Sequence, residues 1–171
     1  FYMMDQHAAH EKILYERLMK QFHEKTYHSQ MIMPPVILTL SLREEQILKE
    51  NWKTFTALGY EIEEFGGKEY KVTGLPAELP TVIDCKQLLI ELIDTIADES
   101  ATHDPERITE KVASMSCKAA VKGNNELSFA EADKLIDELL KLENPYNCPH
   151  GRPTIVAISK YEMEKKFKRI I

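Results

Sequence analysis

The sequence lacks several features that would place it in a common functional class. It has no internal repeat, and its apolar runs are far shorter than the roughly 20 residues that a membrane-spanning helix needs. No segment has the order of charged, apolar and small residues that marks a secretory signal peptide. We therefore expect a cytoplasmic protein that does not contact a membrane. Because residue 1 is Phe rather than Met, we also expect the chain to be part of a longer one.

Positive charge and cysteine are also scarce. Lys and Arg number 22 against 28 Asp and Glu, which gives a net charge of −6 at pH 7. Charge alone therefore argues against a nucleic-acid binder, because binding to phosphates depends on clustered Lys and Arg. Any binding to DNA should be weak unless a partner delivers it. The 3 cysteines are an odd number, which disfavours a disulfide scaffold and leaves metal ligation or simple burial as their roles.

Hydrophobic periodicity predicts helices and strands that do not alternate regularly, which is typical of an α+β fold. Two capping boxes, one at Ser41 and one at Ser128, each predict the start of a helix. The glycine pair at 66–67 lies between two strand-like segments and predicts a β-hairpin. The segment 23–35 has no clear period and ends in two prolines. We interpret it as a linker between two lobes.

The first candidate ligands lie near the N-terminus, in the segment DQHAAHE. On a helix that begins near residue 6, His7 and Glu11 lie one turn apart and project from the same face, and Asp5 lies at the junction with the preceding strand. A neutral imidazole combined with carboxylates suits Zn²⁺ or Mn²⁺. The competing interpretation is a capped, solvated first turn of a helix.

A second set lies in the segment CPHGRP. Cys148 and His150 are held close together in a loop that proline and glycine stiffen, which is suitable for binding a borderline metal. Arg152 would add a positive charge for phosphate. The competing interpretation is a tight turn with a buried cysteine and an incidental histidine.

A third set lies in the helix predicted to end near Lys122. Cys117 falls among small and apolar residues on one face, and taken by itself it is better interpreted as a buried structural cysteine. Lys118 and Lys122 belong to a basic stripe, for which the competing interpretation is a solvated face. The three sets together supply Asp, His, Glu, Cys, Cys and His, which could hold two metal ions. Two ions near a phosphate suit phosphodiester hydrolysis by in-line displacement.

These segments match, in order, the motifs of the C-terminal endonuclease domain of MutL-type DNA mismatch-repair proteins. DQHAAHEKILYE agrees throughout with the family pattern DQHA-x-x-E-x-x-x-x-E. SCKAAVKGN is similar to the second motif, CPHGRP is the third motif intact, and FKR at 167–169 resembles the last. The chain is therefore identified as a member of this family.

The resemblance implies a nicking endonuclease that acts on duplex DNA. It implies zinc as a structural or regulatory ion and manganese or magnesium as the catalytic ion. The catalytic residues would be Asp5, His7 and Glu11, and the metal ligands would be these three with Cys117, Cys148 and His150. Contacts to DNA would come from Lys118, Lys122 and Arg152.

The resemblance also implies an architecture and a set of partners. A dimerisation lobe would comprise residues 1–30 and 117–171, and a regulatory lobe, residues 31–116, would be inserted between them. The expected partners are duplex DNA, a second copy of the chain, MutS and the ATPase domain of the full-length protein. The segment QMIMPP resembles a motif that docks into a groove on the sliding clamp, through Gln30, Met33 and Pro35. Such tethering would compensate for weak DNA binding.

The same residues suggest three other hypotheses for the function. A non-catalytic, zinc-stabilised dimerisation module would use the same ligands to hold the lobes together. A clamp-tethered scaffold would depend on the QMIMPP segment alone. A hydrolase with a cysteine nucleophile is rejected, because Cys148 and His150 are loop neighbours and no oxyanion donor or third residue is evident.

Overall fold

The computed structural model describes residues 1–80, 83–99, 104–121 and 126–170, and these form an α+β fold, as predicted. None of the helices in these ranges has the length and apolar character needed to cross a membrane. The elements are β1 (Tyr2–Met4), α1 (Gln6–Glu24), β2 (Ser29–Thr39), α2 (Leu42–Glu50), α3 (Trp52–Ala57), β3 (Glu61–Gly66), β4 (Glu69–Pro76), α4 (Cys85–Glu99), α5 (Pro105–Ala120), α6 (Phe129–Leu140), β5 (Ile155–Ala157) and α7 (Lys160–Lys166).

The chain divides into two compact units. The first comprises Phe1–Ile13 and Gly123–Ile171, and the second comprises Leu14–Lys122. The chain therefore passes from the first unit to the second within α1. The lobes predicted from the sequence were divided at 30/31 and 116/117 instead. The roles given to those lobes, dimerisation and regulation, stay predictions.

The first unit combines a two-stranded antiparallel sheet with a small helical core. β1 pairs with β5, so that Tyr2 lies opposite Ala157 and Met4 opposite Ile155. The core is formed where one face of α1 packs on α6, which begins at the predicted capping box. Its buried residues are Ala9, Ile13, Leu135 and Leu139. This packing fixes the helix that carries DQHAAHE.

The second unit is built on a three-stranded antiparallel sheet of order β2-β4-β3. The predicted hairpin is confirmed as β3 and β4, and Gly66 and Gly67 have φ angles of 116° and 60°, which side chains other than glycine rarely adopt. Helices α2 to α5 belong to the same unit. Its largest fully buried side chains include Phe55, Leu58, Tyr60, Tyr70 and Leu92.

The predicted linker at 23–35 is wrong. Helix α1 continues to Glu24, and β2 begins at Ser29 and pairs with β4. The two prolines cannot donate ladder hydrogen bonds, and such residues are tolerated at sheet edges and bulges. β2 is an edge strand, and its register shifts between Met31 and Val36. The edge position accommodates the prolines and cannot be deduced from local periodicity.

A buried pair of hydroxyl groups connects α5 to the start of β3. The Ser116 hydroxyl donates to the Val112 carbonyl at 2.6 Å, and the Tyr60 hydroxyl lies 2.6 Å from Ser116 Oγ. Because a serine hydroxyl has one hydrogen, Tyr60 must be the donor to Ser116. Burial raises the pKa of the Tyr60 phenol, which keeps its hydrogen in place. Ser116 therefore has a structural role beside Cys117.

We expect Ser116→Ala to destabilise the protein more than Tyr60→Phe. The first change leaves a buried phenol with no acceptor and should cost about 1–3 kcal/mol, whereas the second removes one hydrogen bond and should cost about 1 kcal/mol. Urea unfolding followed by circular dichroism measures both values. The double variant should lose less than the sum of the two. Equal losses in the single variants would contradict Tyr60 as the donor.

Candidate metal centre

Asp5 links β1 to α1 and caps the helix. Its Oδ1 accepts hydrogen bonds from the backbone N–H groups of His7 at 2.9 Å and Ala8 at 3.1 Å. Its own N–H donates to the carbonyl of Thr154 at 2.9 Å. Asp5 therefore caps α1 through Oδ1. The cap also sets the start of α1, so that Glu11 follows one turn after His7.

The CPHGRP loop is closed by its own backbone. The N–H of Cys148 donates to the carbonyl of Arg152 at 2.8 Å, and the N–H of Gly151 donates to the carbonyl of Cys148 at 2.9 Å. Gly151 has a φ of 78°, in the region that favours glycine. Asn147 and Pro153 form a bridge across the base of the loop. The loop is thus held in one backbone conformation before any ligand binds.

Among the described residues, Glu11, Cys148 and His150 form a group that could hold a metal ion. Each offers one ligand atom, and these atoms all lie within 4.8 Å of one another. Glu11 and Cys148 are buried. A carboxylate, a thiolate and an imidazole are all zinc ligands, and three protein ligands leave the fourth position that a catalytic zinc site keeps open. The donor set therefore fits a zinc-type ion.

The Glu11 carboxylate is the electrostatic centre of this group. Its side chain is 5% exposed, and its Oε2 lies 2.6 Å from Arg152 Nη2 and 3.3 Å from His150 Nδ1. A buried carboxylate requires a positive partner, and His150 is one only when it is protonated. Hydrogen bonds from Arg152 to Glu11, and secondly to Cys148, raise the pKa of Arg152. The guanidinium is thus the permanent counter-charge of Glu11.

The contact between Arg152 and Glu11 was not predicted from the sequence, which indicated only a phosphate contact for Arg152. The two residues are 141 positions apart, and neither periodicity nor spacing connects them. The signal that could have suggested the contact is indirect. Glu11 and His150 were expected to bind the same metal, and Arg152 is two positions from His150.

The other predicted site residues are not members of this group. Asp5 and His7 belong to the same compact unit as the cluster but not to its set of three. Cys117 belongs to the second unit, where it is buried in the core, as its helical face predicted. Lys118 is exposed on α5, and Lys122 lies outside the described residues. Metal binding by Asp5, His7 and Cys117 stays a prediction.

A second histidine on α1 was not among the predicted ligands. Burial lowers the pKa of His10, the nearby His7 lowers it further, and Glu138 on α6 opposes this effect. Its imidazole is therefore biased towards the neutral form, which is the form that binds metals.

The segment predicted to bind the clamp lies in β2. Gln30 donates from Nε2 to the carbonyl of Pro76 at 3.0 Å and also to the carbonyl of Leu79. Met31 and Met33 are 74% and 79% exposed. The glutamine is thus used within the fold, while the two methionines project into solvent.

Comparison with known proteins identifies relatives along nearly the whole chain. A family model described as the MutL C-terminal dimerisation domain matches residues 1–127. The DNA mismatch repair protein MutL of Agathobacter rectalis is 55% identical over 170 residues, which cover 99% of this chain and 26% of that protein. Those of Thermoanaerobacter pseudethanolicus and Clostridium beijerinckii are 40% and 38% identical, over 100% and 99% of this chain. The chain covers 27% and 26% of those two proteins, about a quarter of each.

In metal-free buffer containing EDTA, Arg152→Gln should destabilise the protein more than Glu11→Gln. The first change leaves a buried carboxylate without its permanent positive partner, a loss of about 1.5–3 kcal/mol. The second removes the buried charge, and Arg152, whose side chain is 49% exposed, can turn to water. Urea unfolding of both variants and of the double variant measures the difference. A larger loss for Glu11→Gln would contradict the assignment of Glu11 as the buried partner.

Proposed function

This chain belongs to the MutL family of DNA mismatch-repair proteins, and we propose that it supplies such a protein with a metal-dependent endonuclease that nicks duplex DNA. The supporting observation is that DQHAAHE and CPHGRP, from opposite ends of the chain, bring Glu11 together with Cys148 and His150. A buried carboxylate beside a thiol and an imidazole suits a reactive centre better than a closed structural zinc site, which uses four Cys and His ligands.

We assign roles to the predicted ligands of the first unit and to the predicted phosphate contacts. Glu11, Cys148 and His150 would hold a zinc ion, and Asp5 and His7 would extend the centre towards a manganese or magnesium ion. Bound cations would supply an activated water and stabilise the charge on the leaving oxygen. Lys118, Lys122 and Arg152 would bind phosphates. MutS and the ATPase domain of the longer protein are proposed as further partners.

We also propose that the chain acts as a homodimer. The matching family model describes a dimerisation domain. The β1–β5 sheet carries exposed apolar side chains, which are those of Tyr2, Met3 and Val156. Grouped apolar side chains of this kind are typical of surfaces that pair with another protein. The alternative function is a non-catalytic, zinc-stabilised dimerisation and clamp-binding module, of which the same family description supports only the dimerisation.

Nicking of supercoiled plasmid in the presence of Mn²⁺ and the sliding clamp separates these two functions. We expect wild type to convert the plasmid to the open circular form and Asp5→Asn to lose this activity. Asparagine is a good helix cap, and its carbonyl oxygen can replace Oδ1 as the acceptor for His7 and Ala8, so α1 should keep its start. The substitution therefore removes the charge and retains the cap.

Two controls make the nicking result decisive. Circular dichroism and zinc content should be the same for Asp5→Asn and wild type, and Asp137→Asn, which removes the charge of an exposed carboxylate on α6, should cut like wild type. Equal background nicking by wild type and Asp5→Asn would eliminate the endonuclease and favour the non-catalytic module.

Recruitment by the sliding clamp is proposed for the segment with Gln30, Met33 and Pro35. The exposed side chains of Met31 and Met33 support it, since a docked strand uses apolar side chains to fill pockets of its partner. Gln30 would have to leave the carbonyls of Pro76 and Leu79 to take part. The methionines should therefore contribute more to binding than the glutamine.

We expect Met33→Ala to weaken binding to the clamp and to leave stability within about 0.5 kcal/mol of wild type, as is usual at exposed positions. Gln30→Ala should instead lower stability by about 1 kcal/mol or more, because its internal hydrogen bonds are lost. Surface plasmon resonance with immobilised clamp and urea unfolding measure the two quantities. Unchanged binding by Met33→Ala would contradict the proposed contact.

A further inference from the structure

We propose that Arg152 takes the place of a divalent cation in the metal-free centre and, when a cation displaces it, binds a phosphate of the DNA substrate. This inference rests on the proposed function, because it concerns the same centre and the same substrate. It adds a specific order of events, in which the phosphate contact becomes available only after the metal ligands are occupied.

Arg152 and a cation would both bind the Glu11 carboxylate. Arg152 Nη2 lies 2.6 Å from Glu11 Oε2, and the pKa of Arg152 is raised mainly by Glu11 and to a smaller extent by Cys148. Glu11 and Cys148 are two of the three residues whose ligand atoms lie within 4.8 Å of one another. The guanidinium therefore occupies the carboxylate that an ion would use, in a group that also contains Cys148.

A bound ion would repel Arg152 from its place beside Glu11. A guanidinium is always protonated and has no lone pair to share, so it cannot become a ligand itself. Its positive charge would also lie within a few ångströms of a doubly charged ion, and repulsion between such charges is strong at a site with little water. We therefore expect a bound ion to displace Arg152 from Glu11.

The side chain of Arg152 can move while its backbone stays in place. The carbonyl of Arg152 accepts from the N–H of Cys148 at 2.8 Å, so its backbone stays fixed beside the ligands. The side chain is 49% exposed and can rotate into solvent. A Cβ added at the neighbouring Gly151 would meet nothing within 4 Å, so this side of the loop is open. A displaced guanidinium therefore stays near the metal, where a backbone phosphate would bind bidentately.

The pairing has a purpose in the metal-free protein as well. Glu11 is buried, and without a positive partner its carboxylate would carry a large desolvation penalty. Arg152 keeps the centre assembled until a cation arrives. The same contact lowers the affinity for the cation, since the ion pair must first be broken.

The change in zinc affinity on substitution of Arg152 shows whether Arg152 competes with the ion. We expect Arg152→Gln to bind Zn²⁺ about tenfold more tightly than wild type, the factor expected when one charge-assisted hydrogen bond no longer has to be broken. Arg152→Lys, which keeps the positive charge, should lie closer to wild type. Competition with a chromophoric chelator at one fixed pH measures all three proteins. The control Lys160→Gln removes an equal charge from an exposed residue on α7 that pairs with Glu164.

Any other order of affinities overturns the inference. Weaker zinc binding by Arg152→Gln would mean that Arg152 supports Glu11 as a ligand, since loss of such supporting contacts reduces metal affinity. Equal affinities would mean that Arg152 and the ion do not compete. An equal gain in zinc affinity in Lys160→Gln would mean that the effect comes from the change in net charge alone.

A second measurement tests the phosphate contact and separates this inference from the proposed function. Fluorescence anisotropy of a labelled DNA duplex should show tighter binding to zinc-loaded wild type than to zinc-loaded Arg152→Gln, and no difference between the two in EDTA. A difference of equal size in EDTA would contradict metal-dependent release. If wild type binds no zinc, the proposed metal centre itself fails. If wild type binds zinc and nicks DNA but the affinities do not change as expected, only the inference fails.

Discussion

Burial of the Glu11 carboxylate is the constraint on which the candidate centre depends. An ionised carboxylate that is 5% exposed is stable only beside positive charge, and the structure provides it through Arg152 and, when protonated, His150. Both partners come from a loop that is about 140 residues further along the chain. Formation of this ion pair therefore requires the two ends of the chain to fold together in one unit. The pair turns two distant motifs into one site.

Rigid elements hold the ligands, while the counter-charge has freedom to move. Asp5 fixes the start of α1, and the packing of α1 on α6 fixes the face that carries Glu11. The backbone of the CPHGRP loop is closed by its own hydrogen bonds. The half-exposed side chain of Arg152 is the exception. A centre that stays assembled without metal and can still bind an ion needs a fixed set of ligands and a positive side chain, here Arg152, that can move away.

The sequence predicted the parts of this protein that depend on local chemistry. Capping boxes at Ser41 and Ser128 begin helices, and the glycine pair at 66–67 forms the hairpin. The grouping of Glu11 with Cys148 and His150 was implied by the family resemblance and not by local chemistry. What depends on distant partners could not be predicted. Residues 29–35 of the segment 23–35 belong to an edge strand because β4 lies beside them. Arg152 binds the carboxylate of Glu11, and not only a phosphate as predicted, because Glu11 is buried next to it. Neither partner is visible in the local pattern.

X-ray absorption at the zinc edge tests most directly whether these three side chains form a metal centre. The zinc-loaded protein should show a sulfur scatterer at about 2.3 Å together with nitrogen or oxygen ligands at about 2.0–2.2 Å. The sulfur contribution should fall in Cys148→Ser and remain in Cys85→Ser, since Cys85 belongs to the core of the other unit. A spectrum that Cys148→Ser leaves unchanged would contradict a centre formed by Glu11, Cys148 and His150.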